Sequence, residues 1–389
     1  MNDVRAADEA VQFDVIGHLP REAQEALLKL AVGEKPKPPT GAVDANMIVP
    51  DAKGSQNGTL RTRFECAMCQ ALAMCMRLVG VMNRYSGGRE MSKATTPDKP
   101  RIGWIGLGKM GLPICERLAA QQFQLTTLIR NPEGRERADR AKLQGDSNIG
   151  GVVGGAQIVV SAISDDAALL DIVFKAGGLK ETLNASQIFV EISTVSPDAS
   201  RRVAEAMSSI DVGYVRSPVS GSTAMAAQGG LTAVISGPAG SIERLNDFYA
   251  AFTRKTFVVG QAEEARYLKL VLNSLVGGTS ALLAEALAMG RKGGLGNAEM
   301  MDVICQSAVA SPLLQYKRDT VVSGVYDPAF AVKQIMKDLD IIGEVSRQDH
   351  CPMPLIAQVR QQYEAAFANG CGDLDFFVLT REAARIAGL

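Results

Sequence analysis

Three glycines indicate the first chemistry this chain can perform. Gly106, Gly108 and Gly111 stand at positions one, three and six of Gly106-Leu107-Gly108-Lys109-Met110-Gly111. That spacing lets a chain turn tightly, brings bare backbone up to a pyrophosphate, and packs a helix against a strand. The unpaired N–H groups at the start of such a helix can hold phosphate oxygens. An apolar run, Ile102-Gly103-Trp104-Ile105, precedes the hexad, and an amphipathic segment from Leu112 to Gln121 follows it. Strand, glycine turn and helix is the context that reads as a dinucleotide site.

The end of the next strand, about twenty residues past Gly108, bears on which dinucleotide. An acidic residue there bonds the ribose 2′-hydroxyl of NAD. Leu128-Ile129-Arg130-Asn131 offers no acid. Arg130 suits a 2′-phosphate, because guanidinium presents a fork of donors to phosphate oxygens, and Asn131 can add a hydrogen bond. The expected cofactor is NADP, with NAD as the alternative.

A metal is not expected. Cys66-x-x-Cys69 with Cys75 has the look of a ligand cluster, but the chain has two histidines and no second CxxC, so a four-ligand zinc site lacks parts. The seven cysteines are scattered and odd in number. With no secretory signal, they read as reduced thiols and point to a cytoplasmic setting. The net charge of −1 provides no overall field favouring nucleic acid or a membrane surface. Hydrophobic content of 47% in 389 residues suits a folded protein of two or three domains.

The elements that must position these groups follow in order. Residues 1–98 differ from the rest. They offer a short helix at Pro20–Val32, a stiff Lys35-Pro36-Lys37-Pro38-Pro39-Thr40 linker, and a second helical stretch at Phe64–Met82. Met91-Ser92-Lys93 reads as a natural start, which would make the first 90 residues an accessory segment or an upstream translation. From Arg101 a βα rhythm sets in. Strands are expected at 101–105, 124–129, 157–162, 187–192, 211–215, 231–236 and 256–259. Such alternation gives a doubly wound, mainly parallel sheet, here closing in antiparallel pairing where the last strands crowd together. Ala262 to Arg291 reads as one long helix, and helices continue to the end, broken near Gly293-Gly294, Pro312, Pro328 and Pro352–Pro354. Gly277-Gly278 inside the long helix suggest close backbone packing. The expected plan is an N-terminal extension over 1–98, a Rossmann domain over 99–261, and an all-α domain over 262–389.

Four further stretches appear in a fixed order. They are Glu191-Ile192-Ser193-Thr194-Val195-Ser196-Pro197, then Pro218-Val219-Ser220-Gly221 with Gly229-Gly230-Leu231, then Lys269 with Asn273, then Lys337-Asp338-Leu339. Together with the glycine turn they resemble the β-hydroxyacid dehydrogenase family, which includes 3-hydroxyisobutyrate dehydrogenase and glyoxylate/succinic semialdehyde reductases. The resemblance covers residues 100–389 and leaves 1–98 unexplained. It implies that Ile163-Ser164-Asp165 borders the cofactor and that Ser193 and Thr194 lie near nicotinamide and substrate. It implies that Ser220 and Gly221 hold a substrate carboxylate, that Lys269 is the acid/base, and that Asn273 orients the substrate oxygen. Lys337 would reach the closed cleft from the helical domain, with Asp338 beside it. The implied assembly is a homodimer or homotetramer built through that domain, acting on a small carboxylic substrate.

Three departures from the family pattern stand out. Arg216 occupies a position commonly acidic, which points to a more acidic substrate or to repair of a local charge. Ser222 replaces a second glycine after Ser220-Gly221, and Met225 replaces a small residue. Glu263 and Ala265 replace two glycines before Lys269. Imine reductases share the fold plan but usually carry another residue where Lys269 stands. Chromatin-associated members of the family keep the fold and lack the lysine.

Overall fold

The computed structural model describes residues 99–389. Contacts divide the chain into two units, Met1–Lys93 and Ala94–Leu389, and every described element belongs to the second. The expectations for residues 1–98, including the helical stretches, the linker, Cys66, Cys69, Cys75 and the Met91 start, lie outside the described residues.

The strands are β1 (Ile102–Ile105), β2 (Leu125–Leu128), β3 (Gln144–Asp146), β4 (Ile158–Ser161), β5 (Ile188–Glu191), β6 (Gly213–Arg216), β7 (Val219–Ser220), β8 (Leu231–Ser236) and β9 (Thr253–Gly260). They form one sheet in the order β3-β2-β1-β4-β5-β6-β8-β7, with β9 paired to β8. From β3 through β6 every neighbouring pair is parallel. Strands β1, β4 and β5 are buried along their whole length. This is why they read as unbroken apolar runs rather than alternating ones: helices cover both faces of a parallel sheet. The chain reverses its direction of winding between β1 and β4, and ligands of doubly wound sheets bind at such a switch point. The fold is therefore a Rossmann-type sheet followed by a helical region. The antiparallel closure occurs at β6–β8 and β7–β8, whereas β9 returns parallel to β8.

At the switch point the glycines have separable roles. Gly106 takes φ +108°, a left-handed region, and a Cβ there would overlap the Ala162 carbonyl oxygen. A Cβ on Gly111 would overlap the carbonyl oxygen of Gly106. Gly108 has open space where its Cβ would stand. The following helix, Gly111–Ala120, has no side chain capping its first turn; the Leu112 N–H donates to the Gly108 carbonyl (3.0 Å) and Pro113 has no N–H. Arg137 donates to the Leu107 carbonyl (3.0 Å) and steadies the loop from the next helix.

After the sheet, one helix of 29 residues runs from Glu264 to Lys292. By length and composition it could cross a membrane, but half of its most apolar window is buried within the fold. It packs against the helices Val332–Gln348, Pro354–Ala366 and Leu379–Ile386. Leu270, Leu287, Ile335, Leu339, Tyr363 and Phe377 belong to the resulting core. Pro312 and Pro354 sit in the first turns of their helices, where a missing N–H costs nothing. Gly277 does not serve a close backbone approach. A Cβ there would meet Leu339 at 3.5 Å and Ile335 at 3.7 Å, which is ordinary contact.

The glycine geometry separates folding from binding. We expect Gly106→Ala to lower stability by about 1–3 kcal/mol, the cost of forcing a side chain into a disfavoured backbone region. Gly108→Ala should unfold at the wild-type temperature yet lose dinucleotide affinity, because its methyl would stand where backbone must approach phosphate. Thermal unfolding and a dinucleotide titration of both variants check this. Wild-type affinity in Gly108→Ala would move the phosphate site elsewhere.

Candidate active site

Four side chains from two helices converge on one cluster, in which Asn273 and Asp338 are buried and Lys269 and Lys337 half-buried. Lys269 and Asn273 lie four apart on the long helix and so share a face. Lys337 and Asp338 come from the helix Val332–Gln348. Asn273 is buried, and its amide Nδ2 donates to Asp338 Oδ2 (2.5 Å). Lys337 Nζ lies 2.9 Å from Asp338 Oδ1 and donates to the Thr194 carbonyl (2.5 Å). The helical region thus meets the loop after β5 through a lysine.

Lys269 carries its charge at a disadvantage. Burial lowers the pKa of its ammonium below the usual lysine range; nearby Asp338 opposes that shift, and Lys337 adds to it. Burial likewise raises the pKa of Asp338, against the pull of Lys337, Lys269 and Asn273. An amine with a lowered pKa can exchange a proton nearer neutrality than free lysine can.

The Ser193–Thr194 loop is held at several points. The Ile163 N–H donates to Ser193 Oγ (2.7 Å), and the Ser193 N–H donates to Glu191 Oε1 (2.8 Å). Ser193 is buried, so its hydroxyl ties the β4 loop to the β5 loop. Beside it, Asp165 caps the helix Asp166–Phe174 by accepting from the Ala168 N–H (2.8 Å). That bond comes first among the causes that lower its pKa. Ser164 is exposed and donates to Asp165 Oδ2 (2.7 Å). Between these residues and the helical region lies a cleft of about 460 Å³ lined by Asp165, Asp166, Lys333, Met336, Lys337 and Phe367.

The departures have local explanations. Arg216, read either as favouring a more acidic substrate or as repairing a local charge, is buried in an ion pair with Glu263. Its Nε donates to Glu263 Oε1 at 3.0 Å and its Nη2 to the same oxygen at 2.5 Å. Two departures from the pattern are therefore one charge pair, and Arg216 has no free guanidinium to offer a dicarboxylate. Ser222 caps the short helix Thr223–Gln228 by accepting from the Met225 N–H (3.2 Å). Ser220 is half-buried and Gly221 is exposed at φ +137°. Ala265 is fully buried, and its N–H donates to Ser236 Oγ (3.3 Å).

Arg130 is exposed just past the end of β2. Asn131 is the N-cap of the helix Pro132–Arg140, where its Oδ1 accepts from the Gly134 N–H (2.8 Å). Only its amide nitrogen is left for a ligand. In the glycine loop, Lys109 Nζ donates to the Pro328 carbonyl (2.9 Å), Leu107 is buried, and Met110 is half-buried. The open backbone at Gly108, the uncapped helix start and the exposed Arg130 fit a dinucleotide phosphate chain. Among the described residues no group of three or more His, Cys, Asp or Glu could hold a metal.

Sequence reasoning missed Arg266. Its side chain is 1% exposed, and Nη1 donates to the Ser193 carbonyl (2.9 Å). Nη2 donates to Tyr214 Oη (3.0 Å) and lies 2.6 Å from Glu191 Oε2. The available signal was its place three residues before Lys269, on the same helical face.

These features define an NAD(P)-binding domain joined to a helical domain that closes over its cleft. The description "NAD binding domain of 6-phosphogluconate dehydrogenase" matches residues 101–260, and "NAD-binding of NADP-dependent 3-hydroxyisobutyrate dehydrogenase" matches residues 264–382. The chain belongs to the β-hydroxyacid dehydrogenase family. It is 26% identical over 278 residues to glyoxylate/succinic semialdehyde reductase 1 of Arabidopsis thaliana, covering 71% of this chain and 95% of that protein. It is 25% identical over 316 residues to cytokine-like nuclear factor N-PAC of Mus musculus, covering 81% of this chain and 57% of that protein's length. In fold it is similar to a 3-hydroxyisobutyrate dehydrogenase from Salmonella typhimurium, with a TM-score of 0.66, 22% identity, and coverage of 72% of this chain and 99% of that one.

The electrostatics of the cluster carry a sign that can be checked. Asp338 holds the Lys269 pKa up, so its removal lowers it further. We expect Asp338→Asn to shift the pH midpoint of Lys269 amine labelling, read by mass spectrometry, to lower pH. A midpoint that stays or rises would mean that Asp338 does not sense Lys269.

Proposed function

We propose that this chain is an NADP-preferring oxidoreductase that interconverts a short β-hydroxyacid and its aldehyde or keto form, with Lys269 as the acid/base. The observation that carries the reading is the desolvated Lys269 amine, set in a cluster with Asn273, Asp338 and Lys337 at the mouth of a dinucleotide fold. When bound, the nicotinamide supplies or accepts the hydride. In reduction, negative charge grows on the substrate oxygen, and the Lys269 ammonium donates a proton to it; in oxidation, the neutral amine takes the proton back. Asn273 spends its Nδ2 on Asp338, which fixes the rotamer of its amide beside Lys269. Ser220 and the exposed backbone at Gly221 offer donors for the substrate carboxylate. Arg130, together with the absence of an acid at the end of β2, supports NADP over NAD.

The N-PAC relative supports a rival, non-catalytic reading, in which the fold binds dinucleotide without turnover. Lys269 and Asn273 favour catalysis. A cofactor-oxidation assay across hydroxyacids, semialdehydes and cyclic imines separates the readings. We expect turnover with a hydroxyacid or semialdehyde, and loss of several orders of magnitude in Lys269→Met with cofactor binding retained. Reduction should slow, and oxidation should quicken, as pH rises through the lowered Lys269 pKa. Arg130→Ala should weaken NADPH more than NADH. Near-normal turnover in Lys269→Met, or equal losses for the two cofactors, would overturn the corresponding assignment.

We also propose a homo-oligomer assembled through the long helix. Val271, Leu275, Leu282 and Met289 are 54%, 64%, 71% and 75% exposed along it, at spacings of four and seven residues that keep them near one face. A second copy presenting the same stripe would cover it. Light scattering should show at least a dimer in wild type and a monomer in Leu275→Glu/Leu282→Glu. An unchanged mass in that variant would place the interface elsewhere.

A further inference from the structure

Two buried ion pairs lie at the start of the long helix, and together they form a ring. Glu191 and Arg216 end the parallel strands β5 and β6 and are cross-strand partners. Glu263 and Arg266 stand three apart at the head of the helix, on one face. Arg216 pairs with Glu263, with side chains 6% and 9% exposed. Arg266 pairs with Glu191, with side chains 1% and 0% exposed. Charges therefore alternate around four corners, two on the sheet and two on the helix. Tyr214 lies beside both arginines: its hydroxyl accepts from Arg266, and its ring lies 4.7 Å from the Arg216 guanidinium.

The ring is joined to the active loop. Glu191 accepts from the Ser193 N–H, and Arg266 donates to the Ser193 carbonyl. Arg266 Nε also donates to Ser200 Oγ (3.2 Å), on the helix that follows the loop. Lys269 stands three residues beyond Arg266, on the same helical face. Burying four charges is unfavourable unless each finds a partner with good geometry, and here the partners are the elements that carry the chemistry.

We propose that Arg266, Glu191, Arg216 and Glu263 are positioning residues, which fix the rotation and depth of the long helix on the strand ends and so set Lys269 against the Ser193–Thr194 loop. The proposal rests on the reading of Lys269 as acid/base. It also explains why an arginine stands at 216: a buried glutamate at 263 requires a cation opposite, and the substrate need not enter the argument.

The test compares Arg266→Lys with wild type and Lys269→Met. Lysine keeps the charge but cannot span acceptors on β5, its loop, β6 and the following helix at once. We expect Arg266→Lys to fold and to bind NADPH with near-wild-type affinity, and kcat to fall about tenfold to a hundredfold while KM changes little, as displacement of a catalytic group does. The pH midpoint of Lys269 amine labelling, measured without cofactor, should move toward that of free lysine as water reaches the site. If Arg266→Lys does not fold, Glu191→Gln, which keeps shape and acceptor oxygen, takes its place with the same readouts. Unchanged kcat and labelling midpoint would overturn the proposal. If Lys269→Met retains turnover, the acid/base reading fails on its own account, and the labelling midpoint alone decides whether the ring positions the amine. The alternating ring also predicts that exchanging one pair, as in Arg216→Glu/Glu263→Arg, fails to rescue kcat. That exchange sets two acids side by side on the sheet and two arginines side by side on the helix, and rescue by it would reduce the ring to two independent pairs.

Discussion

A guanidinium taken out of water must be given acceptors, and Arg266 is almost wholly buried. Its acceptors are the Ser193 carbonyl, the Tyr214 hydroxyl and the Ser200 hydroxyl, and the Glu191 carboxylate 2.6 Å away is its counter-charge. Burial lowers an arginine's pKa, but Glu191, Tyr214 and Glu263 together more than offset this and keep Arg266 charged. The first turn of the long helix therefore cannot slide on the sheet without leaving that charge exposed to an apolar interior. Lys269, Asn273 and the helices packed against them inherit their places from this contact.

Much of the fold was legible because its signals are local. The apolar runs at β1, β4 and β5, the GxGxxG turn and the prolines at 312 and 354 each act over a few residues. Strands β3 and β7 were not legible. Gln144-Gly145-Asp146 carries no apolar pattern, and β7 has two residues; both exist because a neighbouring strand offers unpaired backbone. The ends of the long helix fell within two residues of expectation, since Gly293-Gly294 and the polar turn before Glu264 punctuate it.

The candidate site was legible in its order but not in its pairings. Lys269 with Asn273, and Lys337 with Asp338, could be named from the motifs, yet nothing in sequence spacing joins residue 273 to residue 338. Arg216 and Glu263 each depart from the family pattern, and nothing in their spacing says that the two departures are one ion pair. Ser193 could be named from its motif, but the bond its hydroxyl accepts from the Ile163 N–H could not. Pairings of this kind are fixed by tertiary contact, and a single chain read in one dimension does not carry them.

Asn131 has a consequence of a different sort. Its side-chain oxygen caps the helix after β2, a task aspartate performs as well as asparagine. A single change there would leave the local fold undisturbed and set a carboxylate beside Arg130. Local charge and architectural stability are thus uncoupled at this corner of the molecule. A lineage carrying this fold can change the charge at this corner without passing through an unstable intermediate.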